Sequence, residues 1–215
     1  MKTPARKIIN TGTKKLTGVF PSIKNQRLIV FESLPERDVF YLQEFDQDVI
    51  SYQEQPFTIT YCFSNRRYRY TPDLLVVRKT KTQLIEVKPK KELSKILNDD
   101  FKKKKFDAAA KYCISNGYDE FRVITDEEVR QGNFLTNIKF LYSYARLQIP
   151  ASVRLSVRNE LSLAGPQQIS SLLSKISSNQ DEYRKYHAYI LSMIYHQEIK
   201  TDLLIPIRKN SIIQL

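Results

Sequence analysis

The stretch Tyr70–Pro89 reads YTPDLLVVRKTKTQLIEVKP. Two apolar runs flank a polar turn of lysine and threonine, and this pattern predicts a β-hairpin. With a two-residue turn at the centre, Asp73 faces Glu86, whereas a four-residue loop over Lys79–Thr82 makes Asp73 face Lys88. Glu86 and Lys88 share a face because side chains alternate along a strand. Either register therefore brings Asp73, Glu86 and Lys88 together.

Two carboxylates and one ammonium group at the end of an apolar hairpin are the residue types of a metal-dependent phosphodiesterase site. Carboxylate oxygens are hard ligands that suit Mg²⁺, which shares its coordination with water and substrate phosphate. A bound metal lowers the pKa of its water and neutralises charge on phosphate oxygens, and a neighbouring lysine orients the water or stabilises that charge. The alternative is an ordinary solvated ion pair. Pro72 before Asp73 and the apolar filling of both strands favour the nuclease interpretation.

The charge of the chain points to a polyanionic partner. Lys and Arg outnumber Asp and Glu by 35 to 23 over 215 residues, which gives a net charge of +12 and a pI near 9.6. Residues 1–31 contain seven bases and no acid, so we expect a basic N-terminal arm that binds a nucleic-acid backbone or only aids solubility. The candidate DNA-binding residues are Lys7, Lys14, Lys15, Lys24, Arg27, Lys90, Lys91, Lys102, Lys103, Lys104 and Lys105.

The sequence lacks the features that several classes of protein require. No apolar run approaches the length of a bilayer span and no signal-peptide core is present, so we expect an intracellular protein that does not bind a membrane. Two cysteines make neither a disulfide framework nor a thiolate zinc site. His187 and His196 are the only histidines, too few for a nuclease that depends on several of them. No P-loop motif is present among the five glycines.

Glu36 is a further candidate for the acidic site. Ser33 and Glu36 form a capping box at the start of a helix that is predicted to end near Phe45, and Pro35 suits its first turn. A carboxylate held in this rigid first turn, just upstream of the hairpin, also suits a metal ligand. Glu32 is the nearest competitor for that role. The sequence leaves both roles of Glu36 open.

The segments around the hairpin predict a mixed sheet flanked by helices. The predicted elements are strands at 49–52, 57–63 and 121–125 and a helix at 91–115, which Gly117 ends. Successive strands, a helix and a further strand around a buried sheet define a catalytic α/β domain at 32–126.

Residues 127–215 predict a second, helical domain. Helices are expected from Glu127 to Leu147 and from Tyr183 to Gln197, with two shorter helical segments between them. The apolar segments Leu203–Ile207 and Ile212–Ile213 predict a two-stranded wing. Helices followed by a short hairpin are typical of winged-helix modules, which bind DNA or proteins.

Six motifs follow one another in order between Glu32 and Asp126. They are LPERD at 34–38, EFDQDV at 44–49, YQEQP at 52–56, YTPD at 70–73, EVKP at 86–89 and FRVITD at 121–126. In this order they resemble TnsA, the endonuclease subunit of Tn-seven-like heteromeric transposases, within the restriction-endonuclease-like superfamily. The compact chain is similar to members found in CRISPR-associated transposons.

The resemblance implies a restriction-endonuclease-like α/β fold in a bacterial, cytoplasmic protein that cuts the 5′ strands at transposon ends. It implies double-stranded DNA as substrate, a TnsB-like transposase that cuts and joins the 3′ strands, and a TnsC-like AAA+ ATPase that the C-terminal domain contacts. Mg²⁺ is the implied cofactor, with Mn²⁺ as a substitute.

The resemblance also implies roles for individual residues. The implied metal ligands are Glu36, Asp73, Glu86 and the backbone carbonyl of Val87, and Lys88 is the implied catalytic lysine. Gln55 is a candidate for positioning a water or phosphate near the site, and capping a neighbouring strand is the alternative.

Two other functions remain open on the sequence alone. One is a stand-alone restriction or repair nuclease of the same superfamily, which would cut without partners. The other is a DNA-binding assembly factor whose acidic cluster is vestigial. The intact trio of Asp73, Glu86 and Lys88 argues against a scaffold, because adjacent buried charges are costly to keep without a function.

Overall fold

The computed structural model describes residues 16–215. They divide into two compact units, the first ending at Val129 and the second spanning Arg130–Leu215. The described residues form a mixed α/β fold with eight helices. None of these helices is long and apolar enough to span a membrane.

A four-stranded mixed sheet forms the centre of the first unit. The strands of this unit are β1 (Gly18–Ser22), β2 (Arg27–Phe31), β3 (Val49–Glu54), β4 (Ile59–Phe63), β5 (Arg66–Tyr70), β6 (Leu74–Arg78), β7 (Thr82–Lys88) and β8 (Glu120–Thr125). The central sheet has the order β3-β6-β7-β8, with β7 and β8 parallel and the other pairs antiparallel. The helices are α1 (Leu34–Phe45), α2 (Lys90–Leu97), α3 (Asp100–Asn116) and α4 (Asp126–Val129).

The hairpin of β6 and β7 has the two-residue turn, so the first of the two predicted registers is confirmed. Leu74 pairs with Ile85, and the backbone N–H of Arg78 donates to the carbonyl of Lys81 at 2.8 Å. Continuing the ladder by one residue places Asp73 opposite Glu86. Leu74 and Ile85 are buried, as expected for central strands that are covered on both faces.

The predicted start of α1 is also confirmed. The side chain of Ser33 caps the helix by accepting a hydrogen bond from the backbone N–H of Glu36, and Pro35 lies in the first turn. The helix ends at Phe45, as its apolar pattern predicts, and it packs against β7. This packing carries Glu36 toward the end of the catalytic hairpin.

Residues 18–31, predicted to belong to a basic arm, are instead part of the folded unit. They form the antiparallel hairpin β1–β2, whose Phe20 and Ile29 are almost fully buried. An excess of positive charge does not prevent a hairpin whose alternate residues are apolar. Lys7, Lys14 and Lys15 lie outside the described residues.

The prediction of one continuous helix at 91–115 is wrong. The helix is divided into α2 and α3 at Asn98 and Asp99, because the Asp99 side chain accepts a hydrogen bond from the N–H of Lys102 and caps a new helix. Gly117 ends α3 with a φ of +71°, the left-handed geometry that its position predicts.

The second unit is mainly helical. Its elements are α5 (Phe134–Tyr142), α6 (Ala151–Ala164), α7 (Ile169–Ile176) and α8 (Gln180–Tyr195), with the short strands β9 (Gln167–Gln168) and β10 (Ile212–Ile213). The helix predicted from Glu127 to Leu147 is broken between α4 and α5, where Gly132 has a φ of +50°.

The predicted two-stranded wing is wrong, and the winged-helix interpretation is not confirmed. Leu203–Ile207 forms no strand, and Ile212–Ile213 pairs with Gln167–Gln168 instead. The physical reason is the buried side chain of Asn137, whose amide donates to the carbonyls of Leu203 at 2.8 Å and Ile205 at 2.7 Å. These hydrogen bonds replace those of a strand ladder.

Candidate active site

The first unit contains a cleft of about 580 Å³ where the ends of three central strands meet the first turn of α1. Asp73 directly precedes β6, while Glu86 and Lys88 end β7, Gln55 directly follows β3, and Glu36 comes from α1. All five side chains line this cleft. The structure therefore brings together candidates that are far apart in the sequence of the unit.

The ammonium group of Lys88 lies among oxygen atoms that the sequence analysis assigns to metal binding. Its Nζ is 2.8 Å from Oε1 of Glu86, 3.0 Å from the carbonyl oxygen of Val87 and 3.6 Å from Oδ2 of Asp73. The backbone N–H of Val87 donates to the same Oδ2 of Asp73 at 2.7 Å. A single cation thus contacts two carboxylates and one carbonyl.

Glu86 is held from three sides in a buried position, since its side chain is only 3% exposed. Besides Lys88, the Tyr70 hydroxyl donates to Oε2 at 2.6 Å, and Nζ of Lys105 lies 3.3 Å from Oε1. Burial and the negative charge of Glu86 raise the pKa of Tyr70 well above its usual value, so this hydroxyl keeps its proton. Glu86 therefore has a fixed orientation and two cations on one oxygen.

Lys105 and Tyr70 both contact Glu86 in this cleft, and sequence reasoning did not place either of them there. Lys105 was a candidate DNA-binding residue in a run of four lysines, and nothing in that run tells which side chain turns inward. The buried ring of Phe106, next in the chain, is the one available signal. The Lys105 ammonium lies 5.3 Å from the centre of the Tyr70 ring.

Glu36 performs the capping role and also lines the cleft. Its carboxylate accepts hydrogen bonds from the Ser33 hydroxyl at 2.8 Å and from the backbone N–H of Glu32 at 2.9 Å. Burial raises the pKa of Glu36 despite these hydrogen bonds. Each carboxylate oxygen has a second lone pair, so capping leaves acceptor capacity for a cation.

Gln55 is buried beside Asp73 with an unsatisfied polar atom. Its backbone N–H donates to the carbonyl of Asp73 at 2.9 Å, in a left-handed conformation with a φ of +42°. The residue is 7% exposed, and within the described chain no hydrogen-bond partner reaches its Oε1. A buried amide oxygen without a partner is costly, so the site gains from any donor that enters the cleft.

Burial and the close spacing of charged groups shift the pKa values of Asp73 and Lys88. Burial and the nearby charge of Glu86 raise the pKa of Asp73 to about 7, from its ordinary value of 3.8. Burial acts to lower the pKa of Lys88, but Asp73 and Glu86 outweigh it and raise that pKa above its ordinary value. Lys88 is thus charged at neutral pH, while Asp73 is close to half protonated.

We expect the contribution of Asp73 to the stability of the metal-free protein to fall as the pH rises from about 4 to about 7. The folded state holds the Asp73 proton that the unfolded state releases near pH 3.8, so the stabilisation is complete below that pH and is lost through pH 7. Lys88 stays charged across this window. The measurement is the free energy of unfolding in denaturant with a chelator, at several pH values. An Asp73→Asn variant with the same pH slope as the wild type would contradict the assignment.

The other predicted DNA-binding residues have varied surroundings. Lys24 is occupied structurally, since its Nζ donates to the backbone carbonyls of Asp46 and of Val49, the latter at 2.7 Å. Arg27 forms a two-point ion pair with Glu54. The four remaining outward lysines with exposed side chains are Lys90, Lys91, Lys102 and Lys103, of which Lys90 pairs with Glu127 and Lys102 with Asp99. Lys104 is half-buried.

No three carboxylate, histidine or cysteine groups within residues 16–215 already converge on one point as metal ligands. In the cleft, the Lys88 ammonium contacts the two carboxylates that would have to converge. A divalent cation at this place would therefore have to displace the ammonium from Glu86.

The comparison with protein families agrees with this geometry. Residues 46–126 match the family model described as TnsA-like endonuclease N terminal. The matched segment includes Gln55, Asp73, Glu86 and Lys88, whereas Glu36 and the second unit lie outside it. A comparison with curated proteins found no match. This part of the chain is a TnsA-like, restriction-endonuclease-like domain, which supports a DNA nuclease of Tn-seven-like transposition.

Proposed function

We propose that this protein is a magnesium-dependent DNA endonuclease that hydrolyses the 5′ strand at transposon ends. In this proposal it acts with a TnsB-like transposase, which cuts and joins the 3′ strands, and with a TnsC-like AAA+ ATPase bound through the second unit. The observation that carries the proposal is the position of the Lys88 ammonium among Asp73, Glu86 and the carbonyl of Val87.

The donor set of the cleft fits a hard divalent cation. Asp73, Glu86 and the Val87 carbonyl supply oxygen atoms only, and these already surround a positive charge. Burial and the neighbouring charge of Glu86 raise the pKa of Asp73, so a further positive charge in the cleft would favour its ionised form. These residues would hold Mg²⁺, or Mn²⁺ in its place, and Glu36 would supply a further oxygen. The metal would activate a water and neutralise charge on the phosphate.

In this proposal Lys88 is the catalytic lysine. It is charged, partly exposed to the cleft and tethered to β7, so a divalent cation that displaced its ammonium from Glu86 would leave that ammonium able to contact a phosphate in the same cleft. In hydrolysis the water oxygen bonds to phosphorus and the bond to the 3′ oxygen breaks. A fixed cation at this point orients the water or stabilises the charge that develops on the phosphate oxygens.

Two further side chains support the reaction without changing covalently. The Tyr70 hydroxyl keeps Glu86 in one orientation through its 2.6 Å hydrogen bond. The unpartnered amide oxygen of Gln55 is placed to accept a hydrogen bond from a water in the cleft. Because the backbone of Gln55 also holds that of Asp73, its strand-end role and its water-positioning role are compatible.

The first test of the proposal is strand-resolved cleavage of DNA that carries a transposon end, in Mg²⁺, with and without a TnsB-like transposase. We expect cuts in the 5′ strand that require the transposase, because an endonuclease subunit of such a complex acts only where the end is held. The products are separated on a denaturing gel after labelling each strand.

The outcomes of this test separate the three functions. Cutting without any partner would favour a stand-alone nuclease of the same superfamily. Assembly of the complex on DNA, with no strand cut by this chain, would favour the DNA-binding assembly factor and contradict the proposed activity. A chelator in a parallel reaction tests the requirement for the metal.

A further inference from the structure

The arginines of the first unit fall into two groups. Among residues 16–129, four arginines pair with carboxylates, and three do not. The pairs are Arg27–Glu54, Arg37–Asp38, Arg78–Asp46 and Arg122–Glu128. The three arginines without a carboxylate partner, Arg66, Arg67 and Arg69, are all exposed and all lie on β5.

The hairpin that carries them is short and tightly turned, and all its charged residues are basic. A two-residue turn joins β4 to β5, and Ser64 and Asn65 there have φ values of +46° and +62°, as a tight hairpin turn requires. No Asp or Glu occurs between Glu54 and Asp73. The three positive charges within four residues therefore repel one another without local compensation.

Aromatic packing fixes this hairpin to the start of α3. Tyr61 and Tyr68 stack across the two strands with their ring centres 5.7 Å apart. Phe63 and Tyr68 both contact the ring of Phe101 edge-on, at 5.3 Å and 4.8 Å. The basic residues 102–105 follow Phe101 directly, so the arginine-bearing hairpin and these lysines form adjacent parts of the surface. We name this surface, formed by β4–β5 and the first turns of α3, the basic wall.

The basic wall borders the candidate active site. Tyr61 and Arg69 of the hairpin and Lys105 of α3 line the same cleft as Asp73 and Glu86. A polymer whose reacting phosphate lies in the cleft must therefore pass along the hairpin on one side. Solvated charge alone would explain exposed arginines anywhere on the unit, but not the restriction of the three unpaired arginines to the strand next to the cleft.

We infer that the basic wall binds the phosphate backbone of duplex DNA beside the phosphate that is cut, with Arg66, Arg67 and Arg69 as its anchors. This inference rests on the proposed nuclease function and names the part of the fold that holds its substrate. The three arginines are positioning residues, since they contact the backbone next to the reacting group. Guanidinium groups suit this role because they bind phosphate oxygens through two parallel hydrogen bonds.

The test compares DNA binding by two variants made in an Asp73→Asn background, which prevents cutting during the measurement. One carries Arg66→Gln, Arg67→Gln and Arg69→Gln, and the matched control carries Arg122→Gln, an exposed arginine of the same unit. Fluorescence anisotropy with a labelled end-bearing duplex gives the Kd over a series of salt concentrations. Because each phosphate contact contributes about 0.9 to the slope of log K against log salt, we expect the triple variant to lose about 2 to 3 from that slope.

The affinity of the triple variant should fall by roughly tenfold or more at low salt, and the control should keep the parent slope and affinity. The thermal midpoint of the triple variant should not fall below that of the parent, because the aromatic contacts of the hairpin are untouched and the substitutions remove repulsion among the arginines. A triple variant with the parent slope overturns the inference. If the same three substitutions, made with Asp73 intact, abolish transposase-dependent cleavage while DNA binding is unchanged, the inference is also overturned and the surface is assigned to a protein partner.

The failure of this inference and the failure of the proposed function are distinguishable. If the wild type cuts DNA but the triple variant keeps the parent salt slope, the basic wall is refuted and the nuclease remains. If the wild type never cuts but the triple variant binds DNA more weakly, the nuclease is refuted and the DNA-binding wall remains.

Discussion

The Asp73→Asn variant is expected to lose DNA cleavage by about 10³-fold or more while remaining folded. Asp73 supplies one of the charged oxygen atoms next to Glu86 and Lys88, and an amide oxygen binds a divalent cation more weakly than a carboxylate does. Metal stabilisation of a phosphoryl transition state amounts to several kcal/mol, and each 1.4 kcal/mol or so corresponds to about tenfold in rate. The initial rate of strand-resolved cleavage measures this loss.

The fold should survive because the substitution preserves the local hydrogen bond. The amide oxygen introduced by Asp73→Asn can still accept from the backbone N–H of Val87, which donates to Asp73 at 2.7 Å in the wild type. Removing one carboxylate also relieves repulsion with Glu86, so above pH 7 the metal-free variant should be no less stable than the wild type. Asp107→Asn, at an exposed position on α3, is the control and should cut normally. An Asp73→Asn variant that retains full metal-dependent cutting would refute the site.

The Lys88→Ala variant is expected to lose cleavage rate by about 10² to 10³-fold with a much smaller effect on DNA binding. In the proposed reaction the ammonium stabilises charge on the reacting phosphate from within the cleft, and removing one such charged group typically costs this much in rate. Binding depends on many backbone contacts, of which this lysine is at most one. Single-turnover rates and the Kd for the same duplex, measured in parallel, separate the two effects. Equal losses in both would make Lys88 a phosphate anchor instead.

The same variant has a second expected effect, on stability without metal. Removing the ammonium leaves Glu86 with Lys105 as its remaining charged partner and leaves Asp73 without its lysine. A destabilisation on the order of 2 kcal/mol is expected at pH 8, and less at pH 6, where Asp73 takes up a proton. Ca²⁺ or Mg²⁺ should raise the Tm of this variant more than that of the wild type. Lys103→Ala, an exposed position, should show neither effect.

The active-site hairpin shows why part of this protein could be predicted from local pattern. Alternating and apolar runs around a polar turn specify a hairpin, and every register compatible with the turn placed Asp73 with Glu86 or Lys88. The start of α1 was equally local, because Ser33 and Glu36 satisfy each other within one turn. Such features depend on residues a few positions apart, so the sequence contains them directly.

The errors lie where distant residues compete with local preference. Residues 18–31 fold because Phe20 and Ile29 are buried where their hairpin packs against α1 and β3. The net charge of this segment does not reveal that packing. The expected wing at 203–207 is absent because Asn137, more than sixty residues away, hydrogen-bonds its carbonyls. The division of the helix at 91–115 is a local exception, because the side chain of Asp99 caps α3 three residues away and an apolar pattern alone does not reveal a cap.

The sequence by itself determined the mixed α/β class, the hairpin, and the association of Asp73, Glu86 and Lys88, since strand alternation and turn length decide which side chains share a face. Only the tertiary structure decided that Lys105 and Tyr70 hold Glu86, that Gln55 keeps an unpartnered oxygen beside Asp73, and that the unpaired arginines lie on the strand next to the cleft. These contacts join α3, β5 and the central sheet, and their geometry depends on how separate elements pack together.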